Sequence, residues 1–136
     1  MNPEVLAKKI RNQYQPYNAA TPIVRILKSY EFQIYKKFID TLFINDKNKK
    51  IITVNKGLNI YEIRILLAYE LADYLLDKDK IQKDIFVKEL MMPEALFRKQ
   101  YEIAKKKLNL YSFVVEYLSR YFEVPQMTIH NRIKDF

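Results

Sequence analysis

The chain has no cysteine, no tryptophan, one glycine, one histidine and five prolines in 136 residues. The missing cysteine excludes a disulfide framework, a thiolate metal site and a Cys-His nucleophile, and it suits a reducing compartment. With His130 as the lone imidazole, no Ser-His-Asp arrangement can be recognised. So few glycines and prolines exclude a low-complexity or disordered chain. No apolar run approaches the ~20 residues needed to cross a bilayer. Met1-Asn2-Pro3-Glu4 lacks the basic-then-apolar pattern of a secretory leader, so a cytoplasmic location is expected.

What is present is apolar mass. Hydrophobic residues make up 49% of the chain and aromatic residues 14%, enough at this length for one real core but not for two. The reading is one domain over residues 1–136: helices and a small sheet to 59, a helical centre over 60–92, and C-terminal helices from 93. The formal charge of +8, from 24 Lys+Arg against 16 Asp+Glu, favours an acidic partner, protein or nucleic acid. Abundant Lys, Ile, Asn and Tyr without Trp is also what an AT-rich genome produces with no selection for binding. Charge alone does not choose the partner.

The periodicity predicts a first helix over residues 3–15, with Val5, Leu6, Ile10 and Tyr14 inward, Lys8, Lys9 and Arg11 elsewhere, and Asn2-Pro3 as its cap. Thr21-Pro22 opens a second helix to about Tyr30. Aromatic and β-branched residues over 32–38, 41–45 and 51–55 predict three strands, with Lys47-Asn48-Lys49-Lys50 as a polar turn, arranged as a small antiparallel meander. Gly57 is expected to supply backbone freedom for the turn that follows. A broad apolar stripe then marks a helix over 60–76, and helices over 81–92, 94–108 and 111–122 follow, with a short last one from about Pro125. The fold class is α+β, mostly α.

Two segments in this order carry a resemblance. One reads Arg64-Ile65-Leu66-Leu67-Ala68-Tyr69-Glu70-Leu71-Ala72-Asp73-Tyr74-Leu75-Leu76, and the other ends Glu89-Leu90-Met91-Met92-Pro93. Behind two helices and a sheet ending Ile52-Thr53-Val54-Asn55, they resemble the ImmA/IrrE family of metallopeptidases. That family's helix reads close to R-F-T-L-A-H-E-L-G-H-Y-L-L, and its next helix closes on E-L-L-M-P. Tyr117 to Pro125 is similar to the family's L-A-x-x-F-x-V-S turn, and Asn131-Arg132-Ile133 to its closing R-L. Each match is weak alone; together they are specific, because order and spacing agree over nearly the whole chain. The resemblance implies a zincin-like domain with a small antiparallel sheet, a central former metal-binding helix and a C-terminal helix-turn-helix-like pair.

H-E-x-x-H chemistry needs two imidazoles one helical turn apart on one Zn²⁺ and a glutamate beside the first to activate the bound water. Tyr69 and Asp73 stand at the histidine positions, and only Glu70 matches. The resemblance places the third ligand about thirteen residues before the Met-Pro proline, at Lys80. A neutral phenol is a poor zinc ligand and an ammonium repels the ion, so no zinc cofactor is expected and Glu70 is vestigial. A hard cation on Glu70, Asp73 and Asp77 is an alternative. The simpler reading is Tyr69 bonding Asp73 across a turn, with Glu70 or Asp73 paired to Arg64, Lys78 or Lys80. His130 reads as a surface or packing residue.

Family members act beside helix-turn-helix repressors, which they bind and cleave. A chain that keeps this scaffold without zinc is expected to bind such a regulatory protein, of phage or mobile-element type, as a pseudopeptidase. The alternative is a basic DNA-binding regulator using the C-terminal pair, with contacts from Arg120, Gln126, Thr128, Asn131, Arg132 and Lys134; Glu116, Glu123 and Asp135 dilute the charge there. A residual metal-dependent protease is the third reading.

Overall fold

In the computed structural model, the Asn2 side-chain oxygen accepts from the backbone N–H groups of Glu4 and Val5, and Pro3 fills the first position of α1 (Pro3–Asn12), as the Asn-Pro pair predicts. The structure describes residues 2–14, 20–76 and 79–136. After α1 come α2 (Ile23–Ser29), β1 (Gln33–Lys37), β2 (Phe43–Asp46), β3 (Ile51–Asn55), α3 (Ile60–Leu75), α4 (Lys80–Met91), α5 (Glu94–Lys107), α6 (Tyr111–Phe122) and α7 (Gln126–Ile133). The domain is mostly helical α+β, and no helix among the described residues is long and apolar enough to cross a membrane.

The sheet is mixed and not an antiparallel meander. Its order is β1-β3-β2, with β1 parallel and β2 antiparallel to β3. Composition explains the order. Ile52 and Val54 of β3 are fully buried, so the most apolar strand takes the centre, while Lys36, Lys37 and Asp46 sit on the two edges. To put β3 between them, residues 38–42 must cross its end. Asn55 holds that crossing: its Nδ2 donates to the carbonyls of Ile39 and Thr41, each at 3.1 Å.

Gly57 is used for space and not for a left-handed backbone. Its φ is not positive; its N–H donates to Asn55 Oδ1 at 2.9 Å, and a Cβ there would stand 3.3 Å from that same oxygen. The left-handed positions are Glu31, Lys50 and Glu123.

Helix α3 runs through the core with Ile63, Leu67, Ala68, Leu71 and Ala72 buried, and it packs on α2 and α4. Helix α1 packs on α4 through a face rotated from the expected one: Ala7, Ile10 and Arg11 are buried and Val5 is exposed. Arg11 turns inward because its Nη1 donates to the Leu90 carbonyl at 3.1 Å and to Thr21 Oγ1.

The segments that carried the resemblance hold backbone together. Arg64 donates from Nε to the Glu123 carbonyl at 2.9 Å and from Nη2 to the Thr21 carbonyl at 2.7 Å, tying α3 to the α6–α7 turn and to the start of α2. Buried Glu89 accepts from the Glu94 N–H at the start of α5 and pairs with buried Arg132, which also donates to the Met92 carbonyl at 3.0 Å. Removing one partner of such a buried pair strands the other charge, so Arg132→Ala is expected to lower the unfolding free energy by about 3–5 kcal/mol. Glu89→Gln, which keeps an acceptor for the Glu94 N–H, should lose less; urea unfolding of the two variants checks the order.

Candidate functional site

Helical spacing that buries Leu67, Leu71 and Ala72 leaves Tyr69, Glu70 and Asp73 at the border of α3 nearest the edge strand β2. Alternation along β2 sends Phe43 and Asn45 to the same side of the sheet as buried Val54 and Ile52, their cross-strand partners. Between β2, α3 and α4 lies a cavity of about 440 Å³ lined by Phe43, Asn45, Lys47, Tyr69, Glu70, Asp73 and Lys83.

Asp73 is the anchor. Its Oδ1 accepts from Lys83 Nζ at 2.6 Å and its Oδ2 from Lys47 Nζ at 2.9 Å. The Lys83 hydrogen bond, followed by that of Lys47, holds the Asp73 carboxyl below its ordinary pKa, and the bond to Asp73 raises the Lys47 ammonium. Glu70 accepts from Asn45 Nδ2 at 3.1 Å. Burial outweighs that bond and pushes its carboxyl up, aided by the charge of Asp73. Tyr69 does not reach Asp73; its hydroxyl donates to Asp84 Oδ1 at 2.8 Å, and burial, then that bond, push the phenol pKa up.

The expected site is therefore partly brought together. Tyr69, Glu70 and Asp73 share the cavity, whereas Lys80, the first residue of α4, is exposed and lies outside its lining. Asn45, Lys47, Lys83 and Asp84 were missed. Lys83 and Asp84 follow Lys80 by one helical turn, so the periodicity of α4 could have found them. Lys47, in the hairpin turn after β2, carries no local signal. The expected pairings of Asp73 with Arg64 or Lys80 give way to these partners, since Arg64 is spent on backbone carbonyls. Asp77 and Lys78 lie outside the described residues.

This set does not fit Zn²⁺. A neutral phenol whose proton is held against Asp84 is a poor zinc ligand, and a carboxylate between two ammonium groups has its charge already offset. Among the described residues no three His, Cys, Asp or Glu side chains are grouped to hold a metal ion. His130 is on α7, where its Nδ1 meets the Tyr111 hydroxyl at 2.5 Å.

In the C-terminal pair, Arg120 bridges to Glu116 at 2.7 Å, and Gln126, Asn131 and Lys134 are exposed. Arg132 must be withdrawn as a nucleic-acid contact: it is buried, with its donors committed to Glu89, Met92 and Asp135.

A family model described as the IrrE N-terminal-like domain, Peptidase_M78, matches residues 24–134. No curated protein matches the chain significantly.

The two carboxyls respond to pH with opposite signs. Asp73, depressed in the fold, contributes stability that is present above its unfolded pKa of ~3.9 and lost as pH falls through the lower folded value. Asp73→Asn should cost about 0.5–1 kcal/mol near neutrality, with the gap to wild type closing in acid. Glu70, raised in the fold, contributes stability below its unfolded pKa of ~4.3 that is lost as pH rises through the folded value. Glu70→Gln should therefore leave neutral stability unchanged or higher. Urea midpoints measured from about pH 3 to pH 8 test both.

Proposed function

The chain belongs to the Peptidase_M78 family of IrrE N-terminal-like domains, and on that premise we propose that it is a pseudopeptidase, a binding protein on a peptidase scaffold. The carrying observation is Asp73 between Lys47 and Lys83. Positive charge that a zinc ion would bring is already supplied there by two side-chain ammonium groups, so a divalent cation would have to displace both. Without a metal, Glu70 has no bound water to activate, and its carboxyl is engaged by Asn45.

What persists is a cleft beside an edge strand, lined by apolar, cationic and acceptor groups. Its occupant, on this reading, is a regulatory protein of the helix-turn-helix repressor kind, held and not cut, in the cytoplasm. A donor set that does not suit zinc also argues against a residual protease.

The test is capture from an extract of the native host with wild-type protein and with Lys47→Glu, a reversal at an exposed side chain on the cleft rim. Recovery of a helix-turn-helix regulator, intact, by wild type and its loss with Lys47→Glu are expected. Recovery of a cleaved regulator, or capture indifferent to Lys47, would contradict the proposal.

A further inference from the structure

The face of the sheet turned away from α3 is separate from the cleft. Cross-strand register puts Tyr35, Thr53 and Ile44 in one row and Lys37 with Asn55 in the next, opposite to the side on which Ile52 and Val54 are buried. No element covers Tyr35 or Ile44, which are 44% and 53% exposed, and at the crossing loop Leu42 and Phe38 are 60% and 78% exposed. These side chains are too large and too apolar to be ordinary solvent-facing edges.

Charge around this face is mainly positive, although the register also puts Asp46, opposite Ile51, on it. Residues 33–56 contain six lysines and two aspartates. Lys47 is committed to Asp73, and Lys50 to the Tyr30 carbonyl and the Tyr74 hydroxyl. Among the described residues Lys37, Lys49 and Lys56 have no ion pair, while Lys36 is on the other side of the sheet with Val54. Two of them lie against the exposed rings: Lys37 Nζ is 5.5 Å from the centroid of Tyr35, and Lys56 Nζ is 5.5 Å from that of Phe38.

Rings interleaved with uncompensated ammonium groups suit a ligand whose flat apolar groups alternate with anions. A protein partner would favour an apolar centre with charge confined to the rim. We propose that this outer sheet face, with the crossing loop at its end, binds single-stranded nucleic acid, with bases stacking on Tyr35 and Phe38 and phosphates meeting Lys37, Lys49 and Lys56. A single strand is required because bases paired in a duplex cannot reach the rings. This site is distinct from the C-terminal pair and independent of what occupies the cleft.

Fluorescence anisotropy with a labelled oligothymidylate and its uridylate counterpart tests it on the whole chain. Binding should weaken with salt at a slope of roughly −2, about −0.7 for each of three phosphates neutralised. Tyr35→Ala with Phe38→Ala should weaken it at least about tenfold, and Lys37→Ala with Lys56→Ala should flatten the slope by about 1.4. Arg120→Ala with Lys134→Ala should change nothing. All these side chains are exposed, so thermal melts should match wild type. No binding at low salt, equal binding of polyglutamate, or loss on the C-terminal substitutions but not the sheet ones would overturn the proposal.

Discussion

One carboxylate organises the region on which the functional reading rests. Asp73 receives Lys47 from the turn after β2 and Lys83 from the second turn of α4, so three separate elements converge on it. Through this one side chain Lys83 ties α4 to α3, and Lys47 ties the turn after β2 to the same helix. The same bonds offset the Asp73 charge while holding its carboxyl below its ordinary pKa. Tyr69 and Glu70 follow suit, each with its polar group satisfied by a neighbour, Asp84 and Asn45.

The rest of the scaffold is held by residues whose role is backbone satisfaction. Arg64 closes two carbonyls that no helix or strand would use, and Glu89 serves the first turn of α5 while neutralising Arg132. These residues belong to the segments that carried the family resemblance. The fold depends on Arg64, Glu89 and Arg132, none of which lines the cleft around Asp73, so scaffold and site rest on different residues.

Helices were legible because their signals are local. Asn2-Pro3 at the first cap, Pro93 before α5 and the broad stripe of α3 all predict what the structure contains, within a residue or two except at the end of α1. Strand neighbours were not legible, since a crossing held by Asn55 looks in sequence like any short polar connection. Inward arginines escaped for a related reason. Arg11 and Arg132 read as surface charge until distant carbonyls and Glu89 are seen to receive them. At the site, the absence of imidazoles was plain at Tyr69 and Asp73, but the pairing of Asp73 with Lys83 and Lys47 depends on contacts 10 and 26 residues apart in the chain.

The central claim, that ammonium groups stand where the family's zinc would, is tested most directly by metal content. Protein purified without chelator from zinc-supplemented culture should contain no stoichiometric zinc, and its thermal melting should be unmoved by added Zn²⁺ or by a chelator. One tightly held zinc per chain, whose removal lowers the melting temperature and whose binding is lost in Asp73→Ala, would contradict it.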